Sequence, residues 1–177
     1  DDKTLLVASN LGRDKSAIVK YDPENKKELG MIYEHQEVDV SSVLRSKKRK
    51  LITGVAYTTD RTHYHFFDKE RKELQAKLEA RFPGYEVSLA GQNRNEDKML
   101  IYTGNDRNYG SYYFYDKTTG DIRKLADISP WLNENDLSEM KPIKYMARDG
   151  KAINGYLTLP KGIPAKNLPV IINPHGG

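Results

Sequence analysis

The chain has 177 residues, of which 37% are hydrophobic and 31% charged, a balance typical of soluble globular proteins and unlike that of disordered or membrane-embedded chains. No apolar run approaches the roughly 20 residues that span a bilayer, and the start lacks the pattern of a secretory signal. The absence of cysteine excludes disulfides and thiolate metal sites, and the net charge is +4. We therefore expect no membrane partner, and the compartment, cytoplasmic or periplasmic, stays open.

Three stretches of the chain open alike, each with a lysine followed by apolar residues. The openings begin at Lys3, Lys50 and Lys98, which are 47 and 48 residues apart. A second apolar strand follows each opening and ends in an aromatic residue and an aspartate. These aspartates are Asp22, Asp68 and Asp116, 46 and 48 residues apart. Two independent landmarks thus keep one period, which indicates an internal repeat.

Short strands in units of about 40–50 residues are typical of a β-propeller with four strands per blade. Tight turns after Asp22 and Asp116 predict third strands at 29–33 and 122–126. The expected fold class is therefore mainly β, a partial β-propeller of about three four-stranded blades followed by the first strands of another domain. An ordinary antiparallel sandwich with accidental spacing is the alternative.

The middle unit departs from this pattern directly after Asp68. The apolar residues recur there at i, i+4 and i+8, which predicts a helix over about 69–82 inserted in the blade. Asp68 would cap this helix, and a Glu73–Lys77 pair would support it. A strand is expected to resume the unit at 85–89. The apolar residues that recur at this spacing, on one face of the predicted helix, are Leu74, Leu78 and Phe82.

The run Arg45-Ser-Lys-Lys-Arg-Lys50 supplies much of the positive charge. Such a run is compatible with a nucleic-acid patch or with a solvated connector leading into the strand at Leu51. No second basic cluster interleaves with aromatic residues. The connector is therefore favoured, and no nucleic-acid partner is expected.

Two other polar features have a functional and a structural interpretation. His63 and His65 would share one face of a strand, as a metal pair does, but a third ligand could only be guessed, so packed or surface histidines are favoured. The loop 106–110 would either face a substrate or form a salt-bridged turn, and the turn is favoured. We expect no metal and no cofactor.

The repeat ends after Ala126. Residues 129–140 predict a linker with a short helical turn, anchored to a neighbouring domain by Trp131. Strands are expected at 143–148 and 152–159, and the Asp149-Gly150 pair between them predicts a hairpin.

The last ten residues, 168–177, end in a motif that points to chemistry. The β-branched run Val170-Ile-Ile172 predicts a buried strand, and His175-Gly176-Gly177 follows it. α/β-Hydrolases begin an oxyanion hole in this way, with main-chain amides at the end of a strand as donors. Gly176 and Gly177 are therefore candidate oxyanion donors, with His175 beside them.

This terminal region resembles the entry to the catalytic domain of prolyl oligopeptidase-type serine peptidases, the S9 family, most closely the bacterial acylaminoacyl-peptidase and dipeptidyl-peptidase branch. The resemblance rests on Arg148-Asp-Gly, Ile153-Asn-Gly-Tyr-Leu-Thr-Leu-Pro160 and the stretch 168–177. These enzymes carry a propeller ahead of an α/β-hydrolase domain. The resemblance therefore implies propeller blades over 1–128, a linker over 129–140, and the first strands of a truncated hydrolase domain over 141–177.

It also implies a peptidase that cleaves short peptides with a Ser-Asp-His triad and no cofactor. The amides of Gly176 and Gly177 would help to hold the oxyanion, and His175 stands where other branches carry a tyrosine. The nucleophile elbow Gly-x-Ser-x-Gly is absent from these 177 residues, and its nearest look-alike, around Ser111, lacks the second glycine. We therefore expect an inactive fragment whose triad belongs to the remainder of its own polypeptide.

Two other classes of function stay open. A non-catalytic propeller would bind partners through its faces, and an esterase would share the His-Gly-Gly strand without needing a propeller. The bond cleaved, the oligomeric state and the number of blades do not follow from the sequence.

Overall fold

The computed structural model of the chain describes residues 3–174, apart from the side chain of Ser41. Within this range the chain is mainly β, and its strands form four small antiparallel sheets. The strands are β1 (Leu5–Ser9), β2 (Ala17–Asp22), β3 (Lys27–Tyr33), β4 (Val40–Ser46), β5 (Leu51–Thr58), β6 (Thr62–Phe66), β7 (Glu86–Gln92), β8 (Lys98–Asn105), β9 (Asn108–Asp116), β10 (Ile122–Asp127), β11 (Met140–Met146) and β12 (Ala152–Thr158). The helix α1 spans Lys69–Glu79, and a 3-10 turn spans Glu134–Asp136.

The sheets follow one another along the chain as simple meanders. Their strand orders are β1-β2-β3, β4-β5-β6, β7-β8-β9-β10 and β11-β12. The predicted openings are the strands β1, β5 and β8, and the predicted second strands are β2, β6 and β9, so the placement of these strands is confirmed. The expectation of four strands per unit is met only by the third sheet, because the first two have three strands each among the described residues.

The strand β7 corrects one prediction. It was expected to resume the middle unit, but it pairs with β8 and forms an edge of the third sheet. In this register Val87 lies opposite Thr103 and Leu89 opposite Ile101, so both apolar side chains of β7 share the apolar face of β8. The strand β4, which sequence reasoning missed, pairs with β5 and opens the second sheet in the same way.

The helix α1 packs on the third sheet and forms the larger of two apolar cores. Leu78, 1% exposed, and Leu74 contact the sheet, and burial of a side chain of this size stabilises the fold by roughly 1.5–3 kcal/mol. The sheet contributes Val87, Met99, Ile101 and Tyr115 to this core.

The predicted cap is confirmed, but two details of the helix differ. The Asp68 carboxylate accepts from the Arg71 amide at 2.8 Å. The helix ends at Glu79 rather than at 82, because Phe82 turns onto the Tyr113 ring, with centroids 4.7 Å apart. Glu73 pairs with Lys69 at 3.8 Å, whereas Lys77 lies over a tyrosine ring of the sheet.

The second core joins the first two sheets. Its buried members are Ile18 of β2, Val40 of β4 and Val55 of β5, and Tyr33 and Tyr57 pack against them. The Val40 amide also donates to the Ser16 carbonyl at 2.9 Å, a backbone bond between the segments that lead into β2 and β4. Consecutive sheets are therefore linked through apolar side chains, as a stack of repeated meanders requires.

The hairpin β11-β12 is confirmed, with Gly150 at φ +80° in its turn, a conformation that suits glycine. The predicted buried strand at 170–172 is wrong for this structure. Val170, Ile171 and Ile172 are 80%, 94% and 84% exposed and belong to no strand. The reason is that no other strand of residues 3–174 pairs with this segment, and a strand without a neighbour leaves its backbone groups unpaired. Among the described residues, no helix combines the length and apolar character needed to cross a membrane.

Candidate functional site

The predicted oxyanion residues His175, Gly176 and Gly177 lie outside the described residues. Within the described residues, the region nearest to them along the chain that forms a cavity is the place where the hairpin β11-β12 meets the second and third sheets. A cavity of about 260 Å³ opens there, which we call the junction groove. It is lined by Asp60 and Arg61 of the β5–β6 turn, by Glu86 and Tyr102 of the third sheet, and by Met140 and Tyr156 of the hairpin.

Two hydrogen bonds hold the hairpin on this groove. The Tyr156 hydroxyl donates to the Asp60 carbonyl at 2.7 Å, 96 residues away along the chain. The Asp106 carboxylate accepts from the Met140 amide at 2.6 Å. Asp60 and Asp106 stand in the corresponding turns of two consecutive sheets, β5–β6 and β8–β9. The hairpin therefore contacts the same end of both meanders.

The linker is anchored beside the groove by Glu134. Its carboxylate accepts from the Tyr85 hydroxyl at 2.6 Å and from the side-chain amides of Asn105 and Asn108 at 3.3 and 3.4 Å. The Arg107 guanidinium lies 3.6 Å away, so the loop 106–110 does carry a salt bridge, but to the linker and not within the turn as predicted. The bond from Tyr85 is the main reason why the pKa of Glu134 is lowered, and it raises the pKa of Tyr85 in turn.

Glu134 therefore stays ionised at neutral pH, with protein donors on both oxygens, and acts as an anchor rather than as a reactive acid. Sequence reasoning missed this residue and assigned the anchoring role to Trp131. Among the described residues Trp131 is 76% exposed, so its contact with a neighbouring domain stays a prediction. The signal available in the sequence was the acidic first turn of the linker's short helix, after the capping Asn133.

The junction groove carries more negative than positive charge. The carboxylates of Asp60, Glu86 and Asp106 line it, against the single guanidinium of Arg61. The pKa of Asp60 is lowered, chiefly because its carboxylate accepts from the Thr59 hydroxyl at 2.8 Å and also because His63 lies nearby. Such a groove can hold and orient a polar chain, but its described side chains include no activated nucleophile.

Ser111, at the centre of the look-alike motif, is not a nucleophile. It is 4% exposed, and its hydroxyl donates to the Asp127 carboxylate at 2.6 Å. The Lys124 ammonium, 2.5 Å from the same carboxylate, lowers the pKa of Asp127 and keeps it ionised. A serine nucleophile needs a base that accepts its proton, and an ionised aspartate paired with lysine does not serve as one.

The histidines of β6 are exposed side chains that stack on tyrosine rings, which agrees with the surface or packed histidines favoured from the sequence. The His65 ring stacks on Tyr33 with centroids 4.5 Å apart, and the His63 ring stacks on Tyr57 at 5.7 Å. His35 joins the same cluster, 4.4 Å from Tyr57. Between residues 3 and 174 there is no group of three histidine or acidic side chains arranged to hold a metal ion.

The basic run 45–50 leads from β4 into β5, as expected. It also forms hydrogen bonds and salt bridges with the start of α1 and with the turn between β7 and β8. Arg49 donates to both oxygens of Asp68 at 2.7 and 2.9 Å and lies 3.1 Å from Glu70. This guanidinium is the first cause of the lowered pKa of Asp68. The Lys48 amide donates to Glu96 of the third sheet at 3.1 Å. Part of the charge of the run is therefore balanced within the chain.

Comparison with known proteins finds similarity to one peptidase. No family model matches the chain. One curated protein, dipeptidyl aminopeptidase BIII of Pseudoxanthomonas mexicana, is 27% identical over 184 aligned positions. The alignment covers all of this chain and 26% of that protein, so the chain spans about a quarter of the length of its relative. The match supports the expected relationship to S9 peptidases.

Proposed function

We propose that this chain is part of a serine peptidase that hydrolyses short peptides, as an exopeptidase or oligopeptidase, through a Ser-Asp-His triad outside these 177 residues. The observation that carries the proposal is the similarity to a dipeptidyl aminopeptidase along the whole chain, sheets and hairpin alike. Three meanders at a regular spacing, followed by a hairpin, are the order expected for propeller blades that lead into a hydrolase domain.

The domain division follows from the same proposal. Residues 1–128 would form the last blades of a propeller, 129–140 the linker, and 141–177 the first strands of an α/β-hydrolase domain. In support, the third sheet ends at Asp127, Glu134 anchors the next segment, and the hairpin begins at Met140. The junction groove then lies at the boundary between propeller and hydrolase.

The catalytic contribution of this chain would be the oxyanion hole. The exposed run 170–172 would pair with further strands of the hydrolase sheet, which would position the amides of Gly176 and Gly177, with His175 beside them. One such donor contributes on the order of 3 kcal/mol to the stabilisation of the transition state. The substrate would be a short peptide, and no cofactor would be needed.

The test is a comparison of two proteins: the product of the complete reading frame and the 177-residue chain. We expect a fluorophosphonate probe to label the complete protein at a Gly-x-Ser-x-Gly serine, and we expect that protein to release dipeptides from peptide substrates. The 177-residue chain should remain unlabelled. Replacement of the elbow serine by alanine in the complete protein is the control and should abolish both signals.

A complete protein that lacks the elbow, or that carries it and is neither labelled nor active, would contradict the proposal. That outcome would favour the other interpretation, a propeller that binds partners without catalysis.

A further inference from the structure

A second cavity, of about 290 Å³, lies between the β4-β5-β6 sheet, the helix α1 and the strands β7 and β8. We call it the arginine cavity, after the buried Arg71 that lines it. Part of its wall is apolar, formed by Leu44, Leu74, Leu89 and Met99. Its volume corresponds to the small end of the range found for ligand pockets. It is separate from the junction groove, with which it shares no lining residue.

Arg71 is a buried cation without a matching anion. Its residue is 8% exposed, and its guanidinium makes one hydrogen bond among the described residues, to the side-chain carbonyl of Gln75 at 3.0 Å. The Phe66 ring lies 5.3 Å from the guanidinium carbon. No salt bridge joins it to a carboxylate of residues 3–174, although the charges of Glu79 and Asp68 partly oppose the effect of burial on its pKa. Burial lowers the pKa of Arg71, but a guanidinium remains charged at neutral pH.

Besides Arg71 and Arg45, the charged groups that line the cavity already have partners. Arg49 pairs with Asp68 and Glu70, and Lys117 also pairs with Glu70. Glu96 accepts from the Ser46 hydroxyl at 2.6 Å and from a backbone amide. Burial raises the pKa of Tyr64, so its hydroxyl stays neutral and cannot balance the charge of Arg71. A largely buried cation that lacks a salt bridge is costly, which makes the cavity receptive to an anion.

We propose that the arginine cavity binds a small apolar monocarboxylate, whose carboxylate pairs with Arg71 and whose body contacts the leucines and Met99. The planar guanidinium fork matches a carboxylate in a two-pronged geometry. Inorganic phosphate lacks an apolar body that could contact the leucines and Met99, so an apolar acid matches this lining better. The proposal does not depend on the peptidase assignment, because it uses no residue of that site.

Two probes share the proposed chemistry and distinguish its sources. N-acetyl-leucine represents the carboxyl end of a peptide, and 4-methylpentanoate represents a free aliphatic acid. We expect at least one of them to bind the complete protein saturably in calorimetry and to raise its melting temperature. The acid that binds more tightly shows whether the natural ligand is a peptide carboxyl end or a free aliphatic acid. Their neutral amides, N-acetyl-leucinamide and 4-methylpentanamide, should not bind, and inorganic phosphate should bind more weakly than the acids.

Arg71→Met removes the charge and keeps an unbranched apolar side chain. We expect it to weaken binding of the acid by at least about tenfold, because a charge-assisted hydrogen-bonded pair is lost. Without ligand, its melting temperature should stay equal or rise. Arg81→Met is the matched control, since Arg81 is exposed just beyond the end of α1, and it should bind like the wild type. Leu44→Phe leaves Arg71 in place but narrows the cavity, and it should weaken binding as well.

Binding of the amides as tightly as the acids would overturn the proposal, and so would unchanged affinity in Arg71→Met or the absence of binding by both acids. If Arg71→Met does not fold, the acid–amide comparison and Leu44→Phe still decide the matter. Tighter binding of phosphate than of the acids would exclude the monocarboxylate class. Peptidase activity is not read in any of these measurements, so the failure of either proposal is separable from that of the other.

Discussion

The second and third repeat units begin alike and end differently. The second strand ends in an aromatic residue and an aspartate in the third unit, and the same pair directly follows it in the second unit. In both units the aspartate carboxylate accepts from a backbone amide two or three residues later in the chain. Asp116 accepts from the Thr118 amide at 2.9 Å, and the chain turns into the strand β10. Asp68 accepts from the Arg71 amide at 2.8 Å, and the chain continues as the helix α1.

The residues after the aspartate decide between the two outcomes. Asp116 is followed by Lys-Thr-Thr-Gly, in which Gly120 takes φ +80° and allows the tight reversal. Asp68 is followed by ten residues rich in Lys, Glu, Leu and Ala, all good helix formers, with no glycine before Gly84. The same side-chain chemistry therefore serves as a turn in one unit and as a helix cap in the other.

The difference has a structural consequence. In the third unit the added strand β10 completes a four-stranded sheet, whereas in the second unit β6 remains an edge and the helix crosses to the next sheet. The packing of α1, more than its cap, should therefore hold these two units together.

The largest expected loss of stability comes from a substitution that disrupts the packing of α1 on the third sheet. Leu78→Ala should lower the free energy of unfolding by about 2–5 kcal/mol, because it opens a cavity between α1 and the third sheet. The measurement is urea unfolding of the complete protein, followed by hydrogen exchange to locate the loss. Lys72→Ala, on the exposed side of the same helix, is the control and should change little. A loss of less than about 1 kcal/mol for Leu78→Ala would show that the helix does not join the units.

The next effect concerns the cap. Asp68→Ala should destabilise the protein by about 1–2 kcal/mol, since the first turn of α1 loses its acceptor and Arg49 loses its partner. Asp68→Asn keeps a capping oxygen and should lose less. Urea unfolding of the three proteins in parallel provides the ranking. If the alanine and asparagine variants are equally destabilised, the ion pair rather than the cap is the main contribution.

A smaller effect tests the turn of the third unit. Gly120→Ala should cost about 1 kcal/mol, because alanine disfavours positive φ, although the surrounding space is open. Gly30→Ala in the first sheet is the matched control, as its backbone lies outside the positive-φ region and its Cβ would meet nothing within 4 Å. It should be neutral or slightly stabilising. Equal thermal melting of the two variants would contradict the role assigned to Gly120.

The smallest effect is a pH dependence shared by both aspartates. The pKa of Asp68 is lowered chiefly by Arg49, and that of Asp116 chiefly by Lys98. Because each folded pKa lies below the unfolded value, both carboxylates contribute stability above about pH 4 that is lost as the pH falls further. Unfolding free energies measured from pH 6 to pH 2 should therefore fall less steeply in Asp68→Asn than in the wild type. Parallel curves would remove Asp68 from this dependence.

Local features were predictable because neighbouring residues determine them. The strand openings, the Asp68 cap and the Asp149-Gly150 hairpin all follow from turn chemistry or periodicity within a few residues. The strand β4 was missed because its mixed polar sequence, Val-Ser-Ser-Val-Leu-Arg-Ser, carries a weak strand signal and runs directly into a basic turn. The candidate site was predictable only in part, because the contacts that bring Asp60 and Tyr156 together span 96 residues.

By itself, the amino-acid sequence determined the repeat period, the class of secondary structure in each unit, and the motif that points to an oxyanion hole. Only the tertiary structure decided that β7 belongs to the third sheet, that Glu134 anchors the linker to that sheet, and that Arg71 is buried without a salt bridge. The physical reason is the range of the interactions. Turns and caps are satisfied within a few residues, whereas strand pairing, burial and the partner of a charge depend on residues brought together from distant parts of the chain.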